Sequence, residues 1–158
     1  MSQVKPASQF NFVDFKVPIF SYMESPIENG TLKIDIKPYA YYVSDLHEFR
    51  LIINFRAFEE ERKDDNLISL TSISVYKFTD ETGFNDIPEY FFQSALAVTY
   101  PFIRSFVATF TSQANVKRIV LGLVNLTLYN EELKEGTQVL TEKELEALVS
   151  SLEENGKG

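Results

Sequence analysis

The sequence predicts an α+β domain, a four-stranded antiparallel sheet followed by helices packed on one of its faces. Three observations carry this. Apolar residues alternate with period two through the first half of the 158-residue chain, turn-forming clusters separate the alternating runs, and the period becomes helical after residue 83. The length fits one domain, residues 10–152, with 1–9 as a flexible N-terminus and 153–158 as a disordered acidic tail too polar to bury itself.

The first strand opens with Phe10 and Phe12 on one face, and its alternation fails before Pro18, which predicts a bulge or bend. Ser25-Pro26 and Asn29-Gly30 mark the turn or crossover that follows. Residues 31–37 form the second strand, with Leu32, Ile34 and Ile36 on one face and Lys33, Asp35 and Lys37 on the other. Pro38 and the aromatic stretch 39–42 come next, and Ser44-Asp45 supplies a turn. Residues 48–58 form a long third strand with Phe49, Leu51, Ile53 and Phe55 on one face. The acidic run 59–66 predicts a solvated loop tip, and 67–78, rich in Ser, Thr, Ile and Val, returns as a fourth strand in a hairpin with the third.

After the turn at 80–83, Phe102, Phe106 and Phe110 recur every fourth residue beside Ile103 and Val107, which predicts a helix with a strongly apolar face. Pro101 fits the first turn of that helix or a kink in a longer one starting near Pro88, and the residues leave both open. The Phe stripe reads as ordinary core, or as a subunit interface or groove wall that the small Ser105, Ala108 and Thr109 would let a neighbour approach. Thr141-Glu-Lys-Glu144 is a capping box, and it opens a short helix with Leu145, Leu148, Val149 and Leu152 on one stripe.

Catalytic constellations are missing from the sequence. His47 is the single histidine, so neither a two-histidine metal site nor a Ser-His-Asp triad has its parts, and His47 reads as a surface or strand-edge residue. The six glycines are scattered, and Gly122 lacks the following Lys-Ser or Lys-Thr of a phosphate loop, so no nucleotide, metal or other cofactor is expected. Glu59, Glu60, Glu61, Asp64 and Asp65 fall in a polar loop where burial does not tune carboxylates. No enzymatic activity is expected.

A net charge of −8 repels phosphate backbones and argues against nucleic acid as a partner. The absence of cysteine suits a reducing compartment, and the cytoplasm is the expected location. Residues 1–9 lack the apolar core of a secretory signal, and no apolar run approaches the roughly 18 residues of a membrane span. Fourteen Phe and eight Tyr exceed what a thin sheet domain easily buries alone, which places some of them at interfaces. Tyr39-Ala-Tyr-Tyr42 reads either as an aromatic wall for a ligand or as strand-end packing.

Thr99-Tyr-Pro-Phe-Ile-Arg104 followed by Val120-Leu-Gly-Leu-Val-Asn125 resembles the paired signature of SecB-type chaperones, a Phe-Pro-Tyr-Ala-Arg element leading to Leu-Ala-Pro-Val-Asn-Phe at the same interval. Met23-Glu-Ser-Pro26 is similar to the family's Phe-Glu-Ala-Pro, Leu32-Lys-Ile-Asp-Ile36 to its Val-Lys-Leu-Asp-Leu, and Glu48-Phe-Arg-Leu-Ile-Ile-Asn54 to its Tyr-Glu-Val-Val-Leu-Arg-Val. The likeness spans roughly residues 10–128.

The resemblance implies a homotetramer, a dimer of dimers, acting as an ATP-independent holdase for unfolded polypeptide clients in hydrophobic grooves. On it, Phe20, Tyr22, Tyr39, Tyr41, Tyr42 and Phe84 are the candidates for client contact, while Pro101, Phe102, Arg104, Phe106 and Asn125 hold the helix region and the oligomer together. Glu24 matches an acidic position with which the family docks the export ATPase SecA, but residues 68–76 carry no acid where the family has one, and Phe20 replaces an Asp. Gln113-Ala-Asn115 replaces the Arg-Gly turn after the family's main helix, and Leu123 replaces a Pro. Preprotein export, a SecB-like role in a toxin-antitoxin system and another client class stay open. The rivals are a small-molecule-binding or enzymatic α+β domain with its pocket behind residues 39–42, and an interaction module with one fixed partner.

Overall fold

The structure, a computed structural model, describes residues 10–25, 31–79 and 82–156. Its elements are β1 (Phe10–Tyr22), β2 (Leu32–Val43), β3 (Glu48–Glu59), β4 (Asn66–Phe78), α1 (Tyr90–Gln113), α2 (Asn130–Glu135), β5 (Thr137–Leu140) and α3 (Glu142–Gly156), with single 3-10 turns at Glu60–Arg62, Phe84–Asp86 and Leu126–Tyr129. The expected N-terminal segment 1–9 and the turn at 26–30 lie outside the described residues, as do 157–158.

The sheet runs β1-β4-β3-β2-β5. Its first four strands are antiparallel as expected, and β5 adds a fifth, parallel to β2 from Ala40↔Thr137 to Val43↔Leu140. The sheet is therefore mixed. Four residues with one buried side chain, Leu140, are too few for a period to show in the sequence. Strand β2 continues through Pro38 to Val43, beyond the predicted end at residue 37. Proline is tolerated because β5 starts pairing only at Ala40, so beside Pro38 the strand is still a sheet edge.

Alternation selects the core face: Ile36, Ala40 and Tyr42 of β2, Phe49, Leu51, Ile53 and Phe55 of β3, and Ile68, Leu70 and Tyr76 of β4. Helix α1 covers it with Phe91, Phe92, Ala95, Leu96, Thr99, Tyr100, Ile103 and Val107. Pro101 lies inside this 24-residue helix, so the longer of the two predicted helices is the one formed. Pro101 and Ala97, whose carbonyl loses its usual donor, are both on the exposed side, where water can supply the bond.

A connected polar group of Tyr76, Thr99 and Ser74 enters this interface. The Tyr76 hydroxyl donates to the Ala95 carbonyl at 2.9 Å and lies 2.7 Å from Thr99 Oγ1, which is 3.2 Å from Ser74 Oγ. Burial pushes the Tyr76 phenol up to about 12, with the Thr99 bond pulling the other way.

The Thr141 half of the predicted capping box forms, with Glu144 turned back onto the Thr141 hydroxyl. The Glu144 amide donates to Thr141 Oγ1 at 3.2 Å, the Thr141 hydroxyl lies 3.2 Å from Glu144 Oε1, and the Glu142 amide adds a 2.8 Å bond to Asp45 Oδ1. Helix α3 then departs from the expected layout. Leu145 packs with Val43 and Leu140, beside Tyr41 and Leu46, in a cluster separate from the main core. Val43 and Tyr41 alternate with the core-facing Tyr42, so α3 sits on the sheet face opposite α1. It also stays helical through Gly156, four residues into the segment expected to be disordered. Among the described residues no helix is long and apolar enough to cross a membrane.

Candidate functional site

Strand β1 is an edge: among the described residues it pairs with β4 alone, leaving the backbone N–H and C=O groups of its other side without strand partners. The apolar residues of β1 that pack on the core follow the spacing 10, 12, 15, 17, 20 and 22, which breaks strict alternation twice. Two bulges, at Phe12/Asp14 and Lys16/Ile19, absorb the extra residues. Without them Phe15 and Val17 would turn to the other face; with them Phe10, Phe12, Phe15, Val17, Phe20 and Tyr22 all point to the α1 side.

There they meet the Phe stripe of α1. Phe102 lies 5.1 Å from Phe12 and 5.2 Å from Phe15 between ring centroids, Phe20 lies 5.0 Å from Phe106 and 4.3 Å from Phe110, and Tyr22 lies 5.8 Å from Phe110. The stripe is thus a flank of the helix that grips the edge strand, offset from the residues that face the main core. The seam stays partly open: Phe102 is 42% exposed. Arg104 is the sole charged residue of α1.

A second apolar run lies beside the helix. The Tyr100 hydroxyl donates to the Gly122 carbonyl at 2.8 Å and the Ile119 amide to Thr111 Oγ1 at 3.0 Å, pinning the extended segment 117–125 along α1. Burial raises the Tyr100 phenol, and the charge of Arg104 opposes that rise. Leu121 is buried, whereas Leu123 is 92% exposed, with Val120 and Leu128 also in solvent. Asn125 accepts from the Thr127 amide at 3.3 Å and the Thr127 hydroxyl at 2.6 Å, capping the 3-10 turn that redirects the chain.

The six aromatic residues picked as client contacts separate into distinct places. Phe20 and Tyr22 are on the seam. Tyr39 and Tyr41 project from the opposite sheet face, edge to face at 6.0 Å, opposite Ile52 and Arg50. Tyr42 is a core residue, 1% exposed, with its hydroxyl donating to the Thr82 carbonyl, and it cannot line an open groove. Phe84 is half-buried over it, 6.0 Å from Tyr42 and 6.4 Å from Phe92. Among the residues assigned to the helix region, Phe102 and Phe106 join the seam and Pro101 is exposed beside it. Phe12 and Phe15 join the seam beyond those candidates, and the 10-12-15-17-20-22 spacing is the signal that marks them.

Glu24 is exposed at the foot of β1, in a small cleft with Met23, Glu59, Arg62, Asp65 and Leu67. Burial first, then the Glu24 charge, raises the Tyr22 phenol nearby. Glu59 corrects the expectation of a wholly solvated acidic loop: it ends β3 and is 4% exposed. Among the described residues no three acidic or histidine side chains converge tightly enough to hold a metal ion. His47 occupies the β2–β3 turn at φ 53°, half-buried.

This arrangement, a mixed and mainly antiparallel sheet with a long helix on one face, is a SecB-like fold. A solved structure with this fold is the Mycobacterium tuberculosis Rv1957 SecB-like chaperone in complex with a ChAD peptide from the Rv1956 HigA1 antitoxin, similar at TM-score 0.58 and 12% identity, over 73% of this chain and 88% of that one. No family model matches the sequence. No curated protein matches it either. The SecB-like fold implied by the Thr99–Arg104 and Val120–Asn125 motifs is present; the fifth strand and the place of α3 on the opposite face depart from the expected four strands with helices on one face.

Proposed function

We propose that this protein is an ATP-independent holdase that captures unfolded polypeptide along β1 and the α1 flank. The observation that carries the reading is the juxtaposition of a 13-residue unpaired strand edge with a row of partly open aromatic rings. An edge offers backbone hydrogen bonds to any extended chain, and the rings offer apolar contact without demanding a sequence.

Assembly as a homotetramer, a dimer of dimers, belongs to the same proposal. A 24-residue helix with one charged residue and an outer side of Ala97, Val98, Pro101 and Ser105 suits burial against other subunits. Between the two client settings, a dedicated toxin-antitoxin role fits better than preprotein export. The residues 68–76 carry no acid for a basic translocase to dock on, leaving Glu24 alone, and the Rv1957 structure holds an antitoxin peptide. A small-molecule pocket behind residues 39–42 finds little support, since that space is filled by Phe78 and Phe84 around Tyr42 and by Phe91 and Phe92 around Phe49.

The test is light scattering from an aggregating, chemically unfolded client. Stoichiometric subunits suppress it without nucleotide, and Phe102→Ser weakens suppression while the protein stays folded. Full aggregation in the presence of folded wild-type protein refutes the reading.

A further inference from the structure

The sheet face turned away from α1 carries a charge opposite in sign to that of the whole molecule. Alternation and register put six cations on it, Lys16, Lys33, Lys37, Arg50, Arg56 and Lys77, against the acids Asp14, Asp35 and Glu48. Two of those acids are answered within the face: Arg50 pairs with Glu48 and Arg56 with Asp35, each at 3.1 Å. The four lysines have no ion-pair partner among the described residues, and Asp14 is the one acid left beside them. The net charge of the chain is −8, so its composition does not account for a cationic face.

Strand register arranges these residues in rows. Lys16 stands at one end of a row that crosses the sheet through Ile73 and Ile52 to Tyr39, and Lys37 stands at the opposite end of the next row, which runs through Asn54 and Thr71 to Ile19. Three strand spacings of about 4.8 Å set the two lysines roughly 14 Å apart across the sheet. The surface between them is largely apolar. Ile19 is 63% exposed, and Ile73 and Tyr39 are half-buried. The polar pair lying there satisfies itself, with the Thr71 hydroxyl donating to Asn54 Oδ1 at 2.9 Å. Helix α3 reaches this face at its Val43 end through Leu145, its one buried side chain, and leaves Lys16, Ile19 and Lys37 in solvent.

A nucleic acid matches the pattern poorly, because its phosphates bring nothing apolar to cover Ile19 and Ile73 and the acidic remainder of the molecule repels a long polyanion. A polypeptide can carry carboxylates and apolar side chains together. We propose that this face docks an acidic segment of a second protein, with carboxylates at Lys16 and Lys37 and apolar side chains laid over Ile19, Ile73 and Tyr39. The surface is on the other side of the sheet from the aromatic seam, so client and partner occupy opposite faces. No client is needed for this contact, which stands apart from the holdase reading.

Ile19, Ile52 and Ile73 lie on the docking face and Ile53 and Ile103 in the core, so isoleucine-methyl labelling of the full chain separates the two. The probe is a decapeptide of alternating Glu and Leu, compared with its Lys and Leu counterpart and with a short single-stranded DNA. Saturable shifts are expected at Ile19 and Ile73 with the Glu-Leu peptide, with weaker binding of the Lys-Leu peptide and a loss of affinity as NaCl rises from about 0.05 to about 0.5 M. Joint Lys16→Glu and Lys37→Glu substitution, both at exposed positions, lowers the affinity about fivefold or more, and Phe102→Ser in the seam leaves it unchanged. Silence at the Ile19 and Ile73 methyls, undiminished binding by the charge variant, or an equal loss in Phe102→Ser overturns the site. DNA that binds as tightly through the same lysines assigns them to polyanions in general and overturns the polypeptide partner. Shifts at Ile19 and Ile73 that appear on concentrating the protein alone put a second copy of this chain on the face, and they overturn it as well.

Discussion

Tyr76 puts a hydroxyl into the middle of the sheet–helix interface, and the surrounding residues satisfy it with Ala95 and Thr99. Tyr76→Phe leaves Thr99 bonded to Ser74 and opens no large cavity, so urea unfolding should show a loss of about 1 kcal/mol. The phenol also makes stability depend on alkaline pH. Its pKa is raised to about 12 in the folded protein against an ordinary value near 10, so the folded state keeps its proton where the unfolded state loses it. Its contribution is intact below pH ~10 and fades as pH climbs toward ~12. Thermal melts across that window should fall more steeply for the wild type than for Tyr76→Phe. Glu59 is the opposite case at this scale, a buried side chain whose Oε2 has no hydrogen-bond partner among the described residues.

At the scale of an element, β1 is held to the rest by β4 and by the aromatic seam. Phe20 touches both Phe106 and Phe110 while remaining half-buried, so Phe20→Ala should cost about 2 kcal/mol, less than a fully buried Phe. Amide exchange should accelerate selectively in 15–22. Helix α3 depends on its start more than on its packing, because Leu145 is its one buried side chain. Thr141→Ala should remove about 1 kcal/mol of capping, read as lost helical ellipticity with the sheet intact. These elements also show what a sequence can and cannot reveal. The β3 register, the β3–β4 hairpin, the bulged β1 and the capping box were legible because each is written in a local period or a short motif. β5 was not, since four residues that gain their pairing from β2 leave no period of their own. The side of the sheet that α3 takes depends on which face Val43 presents, a tertiary outcome. Among the site residues, Phe20 and Tyr22 could be placed from the β1 pattern. Tyr42 could not be told from Tyr41 until the strand's continuation past Pro38 fixed which of them faces the core.

At the scale of the molecule, an excess of aromatic residues on a thin domain resolves into a core around Phe49, Phe91 and Tyr76 and an open seam along β1. The holdase proposal uses that seam. The proposed tetramer predicts a solution mass four times the 18.2 kDa subunit by multi-angle light scattering, and a single 18.2 kDa species would remove any groove shared between subunits. The most direct measurement is hydrogen exchange of the whole protein with and without a saturating unfolded client. Capture along the edge predicts slowed exchange concentrated in residues 10–22 and 98–106. Client binding that leaves the β1 amides exchanging at their free rate would contradict the account.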